Sequence, residues 1–259
     1  MSKKKKQKQD KSEKEESLTS HLEELRKTII GCFITISIGS AICYGLCKEL
    51  LVDIVLSPLD GIESQVIYIS VVESFVVEMK VALLAGITIT TPITFGIMWH
   101  FVSPAFLKRE RKWIMFYTCI AVLLFSLGVS FAYCILVPFC LHFLLNVSSI
   151  SADAMLSINS YVGFLCKILA SFGLVFELPL VTFFVISYDV IPIEKVKEFR
   201  KYMLLICFCI AAIITPPDVF SLVYVAVPMY VMYEMGIILG RISIWRRVRR
   251  IKKEMREQV

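Results

Sequence analysis

Histidine is scarce in this chain of 259 residues: His21, His100 and His142 are the only three, and they lie far apart in sequence. That spacing gives no basis for a metal site built on clustered imidazoles. The signatures of common enzymes are missing too. There is no H-E-x-x-H, no G-x-S-x-G and no phosphate-binding P-loop, so the sequence offers no catalytic motif and calls for no cofactor. Charge is thin: 19% of residues are Asp, Glu, Lys or Arg, against 57% apolar. With a mean hydropathy of +0.74, this composition excludes an ordinary soluble domain and points to a polytopic membrane protein. The net charge of +6 is not a nucleic-acid signal, because the basic residues sit at the edges of apolar runs, as juxtamembrane charge does. Nine cysteines are present, all in or beside apolar runs. None forms matched zinc-binding pairs, so they read as small packing residues. No internal repeat is visible.

What the chain has instead is apolar runs of span length. A bilayer core needs about twenty apolar residues per helix. Such runs occur at 28–47, 75–98, 113–137, 160–188 and 219–240, with a shorter run of thirteen in "YMLLICFCIAAII" before "TPPD". Pro138 marks the start of a loop reaching to 159. The short run is decided by charge. Lys and Arg number nine in 1–27, one in 48–74, four in 99–112, none in 138–159, four in 189–201, none in 215–218 and eight in 241–259. High and low alternate without exception, which by the positive-inside rule requires the short run to cross. The expected fold class is an all-α membrane protein with six transmembrane helices, the last two short, and both termini cytoplasmic. Short final helices imply tilt or local bilayer thinning.

The ends differ in character. Residues 1–16, "MSKKKKQKQDKSEKEE", are low-complexity and charged, and are expected to be disordered. They are not a signal peptide, since the charged region is too long and no small-residue cleavage site follows. A six-helix domain is expected over 17–243. At the other end, 244–259 place Ile244, Val248, Ile251 and Met255 on one face among Arg and Lys. That suits either an interfacial helix on anionic lipid or a solvated basic tail.

Charges close to or inside the runs need reasons. In "SLTSHLEELRK", Ser20 and Glu23 have capping-box spacing, and Glu23 has Arg26 and Lys27 three and four residues on. A second acid, Glu24, shares Lys27. Lys80 and Lys167, near span ends, can snorkel. Glu177, near the middle of a run in "VFELP", either faces a water-filled concavity or carries its proton. Lys167 is about 15 Å away along a helix and is no direct partner. Glu234 is similar but nearer the cytoplasmic end. In "ITPPDVF" two prolines stop a helix, and Asp218 can cap the next.

Four motifs occur in order: "HLEELRK", "SPAFLKRERK", "FELP" and "TPPDVFS". Together they resemble the TatC family, the polytopic receptor subunit of the twin-arginine protein translocase, over roughly 17–243. The resemblance implies a concave bowl of six helices in the bacterial cytoplasmic membrane. It also implies twin-arginine signal peptides of folded cargo as ligands, and TatA- and TatB-type single-span proteins, membrane lipids and further copies of the chain as partners. By motif, it implies that Glu24 and Glu110 read the arginines beside Phe101. Glu177, Thr215 and Asp218 would be the intramembrane polar residues that meet a partner, and Pro58, Pro216 and Pro217 structural prolines. Leu222 departs from the family, which often has Gln after "DVFS". A proton-coupled secondary transporter is the alternative, from the intramembrane acids and prolines.

Overall fold

The computed structural model of the chain describes residues 2–59, 65–102, 114–147, 155–188, 190–215 and 218–257. Their order is α1 (Ser2–Leu56), a 3-10 turn (Ser57–Leu59), β1 (Gln65–Ile67), α2 (Glu73–Val102) and α3 (Ile114–Phe131). A π-helical turn (Ala132–Leu136) joins α3 to α4 (Val137–Val147). Then follow β2 (Met155–Ser157), α5 (Ile158–Val175), α6 (Leu178–Ser187), α7 (Ile193–Glu198), α8 (Arg200–Ile214) and α9 (Val219–Glu257). The protein is a multi-pass, mostly helical membrane protein. Among the described residues, five stretches are long and apolar enough to cross: Leu22–Leu46, Glu73–Phe101, Met115–Phe143, Ile158–Ser187 and Val219–Arg249. The 15 residues of α8 reach about 22 Å, short of a core of about 30 Å.

Several boundaries differ from the sequence reading. The helix entering the first span runs from Ser2 to Leu56, with Ser20 inside it rather than at its start. Lys, Gln and Glu have good helix propensities, so their charge argues against packing and not against helical backbone. Pro138 does not open a loop. It lies inside one continuous helix, just after the π-helical turn Ala132–Leu136, the kind of local adjustment that accommodates a proline within a membrane helix. The run 160–188 is two helices, broken at Phe176–Glu177. The last helix, α9, is 39 residues long, so that 244–257 continue it as helix. No Gly or Pro occurs in 241–257 to stop it.

The chain divides into two compact units, 1–47 with 82–122 and 48–81 with 123–259. In the first, α1 meets α2 where neither backbone carries a side chain. A Cβ on Gly86 would stand 2.6 Å from the Ser40 backbone, and one on Gly39 would overlap the Thr90 side chain. Bare Cα atoms allow such close approach in a membrane. The hydroxyls of Thr35, Ser40, Thr90 and Thr91 return to carbonyls four residues back, which satisfies them without water.

In the second unit, α5 forms the centre, with Val162, Leu165, Ile168 and Phe172 wholly buried. β1 pairs in parallel with β2, in the register Gln65↔Met155, Val66↔Leu156 and Ile67↔Ser157. The hydroxyls of Tyr133 and Tyr161 donate to the Ile54 and Val55 carbonyls at the end of α1, at 2.7 and 2.8 Å. α6 lies on α9, with Gly236 and Gly240 facing Pro179, Thr182 and Ile186. Ile186, Val196, Tyr233 and Ile237 form a buried cluster at that contact.

Candidate functional site

In the first unit, Glu24 is exposed, two residues into the apolar stretch Leu22–Leu46. The next acid-base pair along the helix is Glu23–Lys27, with Nζ 3.0 Å from Oε1 and both side chains in the open. Thr28 Oγ1 donates to the Glu24 carbonyl at 2.9 Å, another hydroxyl satisfied within its own helix. Phe101 is half-buried in the last turn of α2. Glu110 lies outside the described residues.

The second unit holds the polar groups of the later spans. Glu177 occupies the N-cap position of α6 at the break after α5, with no side-chain cap bond. Its N–H donates to the Leu174 carbonyl at 3.1 Å, and its carbonyl accepts from Val181 at 2.9 Å. The break follows from Pro179, which has no N–H to give to the carbonyl four residues back. Glu177 is 8% exposed. Its carboxyl meets the backbone of Phe125, and its Oε1 has no hydrogen-bond partner among the described residues. A buried polar atom left so is unusual and calls for an explanation.

Asp218 precedes α9 and caps it: Oδ2 accepts the Ser221 N–H at 2.7 Å. Oδ1 has no partner among the described residues, nor has the Ser221 hydroxyl, which is wholly buried. Cys140 of α4 lies beside both residues. Thr215, at the end of α8, is buried, and its hydroxyl bonds the Ala211 carbonyl at 2.9 Å. Leu222 is half-buried, with its N–H on the Asp218 carbonyl at 3.2 Å. Pro58 is half-buried in the turn after α1. Pro216 and Pro217 lie outside the described residues. Thr215, Asp218 and Ser221 thus gather around the turn between α8 and α9. No hydrogen bond joins them to Glu177 among the described residues.

Two polar clusters escape the sequence reading. Arg200 Nη2 donates to Glu234 Oε2 at 2.7 Å, and the Tyr230 hydroxyl donates to Glu234 Oε1 at 2.9 Å. Glu234 is therefore held by a cation from the preceding charged segment, which no spacing along the sequence reveals. Glu73, at the start of α2, is 6% exposed. It accepts from residues 69 and 70 and from Ser157 and Asn159. The only hint was a lone acid opening an apolar run.

A model of the family described as Sec-independent protein translocase protein (TatC) matches residues 20–228. A TatC protein of Desulforapulum autotrophicum is 38% identical over 233 residues, 89% of this chain and 86% of that protein. A TatC protein of Aquifex aeolicus is 35% identical over 245 residues, 93% of this chain and 99% of that protein. A crystal structure of a twin-arginine translocase receptor, TatC, in DDM superposes with a TM-score of 0.79 at 35% identity. That match covers 85% of this chain and 99% of the other.

Proposed function

Since the chain belongs to the TatC family of Sec-independent protein translocase proteins, we propose that it is the receptor subunit that reads twin-arginine signal peptides. It is a component of a protein transport machine rather than an enzyme. The observation that carries this reading is the place of Glu24. Its side chain stands exposed in the first turn of the apolar stretch Leu22–Leu46. A carboxylate suits a guanidinium because the planar fork binds it in bidentate fashion. Glu110, in the "KRERK" loop, takes the second arginine, and Phe101 packs against the peptide.

The alternating basic charge supports six spans with both termini in the cytoplasm of a bacterium, α8 being the short fifth span. The orphaned oxygens of Glu177 and Asp218 suit a second role. Each accepts a polar group from the single helix of a TatA- or TatB-type partner, which restores the hydrogen bond that the fold leaves unmade. Several copies of the chain assemble in the complex that exports folded cargo.

Binding of a twin-arginine peptide to the purified protein tests the receptor role. The expected result is capture of the Arg-Arg peptide and none of the same peptide with Lys-Lys. Equal capture of both would contradict it.

A further inference from the structure

The turn leading into α2 holds apolar side chains in the open. Tyr68 is 57% exposed, Ile69 74%, Val71 98%, Val72 62% and Phe75 56%. Residues 65–72, "QVIYISVV", carry no charge. The first charge after them, Glu73, is turned inward and buried. Its Oε2 accepts the N–H groups of Ile69 at 2.6 Å and Ser70 at 3.2 Å. Its Oε1 accepts the Ser157 hydroxyl at 2.7 Å and the Asn159 N–H at 3.0 Å. The Glu73 N–H donates to the Ser70 carbonyl at 3.0 Å, and the Val76 N–H to the Val72 carbonyl at 3.2 Å. Asn159 in turn accepts from Lys80 Nζ at 2.6 Å.

Two facts about this turn belong together. Its side chains are those that leave water, and its backbone groups are paired by a carboxylate. In a soluble protein five exposed apolar residues in a row of eight would be a liability. Here they open a membrane-crossing helix, and Met79, one turn after Phe75 and 49% exposed, continues the same apolar face. A turn can enter the edge of a bilayer only if its N–H and C=O groups are satisfied within the protein. Glu73 supplies three of these bonds, taking two turn N–H groups on one oxygen while its own N–H serves a turn carbonyl. Its other oxygen ties the turn to the start of α5. Tyr68 and Phe75 are the aromatic residues found at such a boundary.

We propose that the turn Tyr68–Val72, with Phe75, is a lipid-interface anchor seated at the boundary of headgroups and acyl chains at the start of α2. Glu73 is the positioning residue that holds its backbone there. The occupant of this surface is lipid, because the face is continuous with that of a crossing helix and, apart from the Tyr68 hydroxyl, Ser70 and Ser74 are the only polar side chains exposed between residues 68 and 75.

The test places a tryptophan at Val71 in a full-length chain whose Trp99, Trp113 and Trp245 are phenylalanine, reconstituted in lipid vesicles. Emission is read with lipids brominated near the headgroup, with lipids brominated near the chain end, and with aqueous iodide. The expected result is a blue-shifted emission, quenched most by the shallow bromines and shielded from iodide. Quenching by iodide without bromolipid quenching would place the turn in water and overturn the proposal. Shielding from both quenchers would show a protein surface on the turn, a second copy or a partner, and would overturn it equally. Adding Glu73→Ala should lose the shallow quenching, and Glu73→Gln, which keeps an acceptor oxygen, should restore part of it. Unchanged quenching in Glu73→Ala would remove Glu73 from the assignment. If that variant fails to fold, the Val71→Trp reading alone decides whether the turn meets lipid.

Discussion

Replacing Gly236 by alanine adds one methyl group where α6 leaves no room. The new Cβ would stand 2.6 Å from Thr182 Cβ, 3.0 Å from Thr182 Oγ1 and 3.1 Å from Pro179 Cα. Thr182 is buried and, being β-branched, has little rotamer freedom. Pro179 can yield only if the start of α6 moves, and with it Glu177. Overpacking of this kind costs about 1–3 kcal/mol, and contact with both a backbone atom and a stiff side chain argues for the upper end. Against it stands the gain of about 0.8–1.0 kcal/mol when alanine replaces glycine inside a helix. The net loss is about 2 kcal/mol. At about 2–4 °C per kcal/mol for a chain of this size, the thermal transition should fall by about 4–8 °C. The assay follows labelling of buried thiols by a fluorogenic maleimide during heating in detergent. Cys140 and Cys207, 1% and 2% exposed, report unfolding once exposed Cys119, Cys134 and Cys209 have been blocked. Gly45→Ala is the control. Nothing lies within 4 Å of its added Cβ, so helix propensity alone acts and the transition should hold or rise. A Gly236→Ala transition equal to or above that of the unchanged protein would refute the close seating of α6 on α9.

Glu234→Leu should lower the transition, because it strands Arg200, whose Nε already lacks a partner. The pair is 41% and 26% exposed, so the cost lies between that of surface and buried pairs, about 1–3 kcal/mol. Adding Arg200→Leu should recover most of the loss, and a double variant no better than the single one would refute the pairing. At Glu177, Gln should retain export and partner crosslinking and Leu should lose both; full export with Leu would show that the orphaned oxygen has no partner to meet. Single reporter fusions at Ser64, Ser151 and Pro217 should read outside, and those at Lys108, Glu194 and the C-terminus cytoplasmic. A cytoplasmic reading at Pro217 with an external C-terminus would refute six spans.

Apolar runs and charge placement made the helical membrane class legible, because a bilayer imposes one length and one polarity on every crossing segment. The cap at Asp218 was legible for a similar reason, since a cap is a local bond three residues long. What proline would do was not. Pro138 sits inside a continuous helix behind a π-helical turn, whereas Pro179 breaks a span in two. The same residue is absorbed by a helix or breaks it according to how the preceding turn adjusts. The polar clusters were less legible still. Glu73 meets Ser157 and Asn159, more than eighty residues on, and Glu234 meets Arg200, thirty-four residues before it. Only packing brings them together. The close seating of α6 on α9 has a local signal. "GIILG", residues 236–240, has the small-xxx-small spacing that seats helices closely in a membrane.

The claim that two acids read the signal is tested most directly by the double variant Glu24→Ala, Glu110→Ala. If these carboxylates are only partners for the neighbouring lysines and arginines, removing them costs no more than an exposed ion pair, about 0–1 kcal/mol. If they grip arginines in a partly desolvated site, each loss costs about 2–5 kcal/mol, much of it from leaving an arginine unpaired. Binding of a labelled twin-arginine peptide to the purified variant is the measurement, alongside Glu23→Ala, which removes only the exposed pair with Lys27. The account predicts no detectable capture by the double variant at unchanged abundance in the membrane, and near-normal capture by Glu23→Ala. Normal capture by the double variant would contradict it.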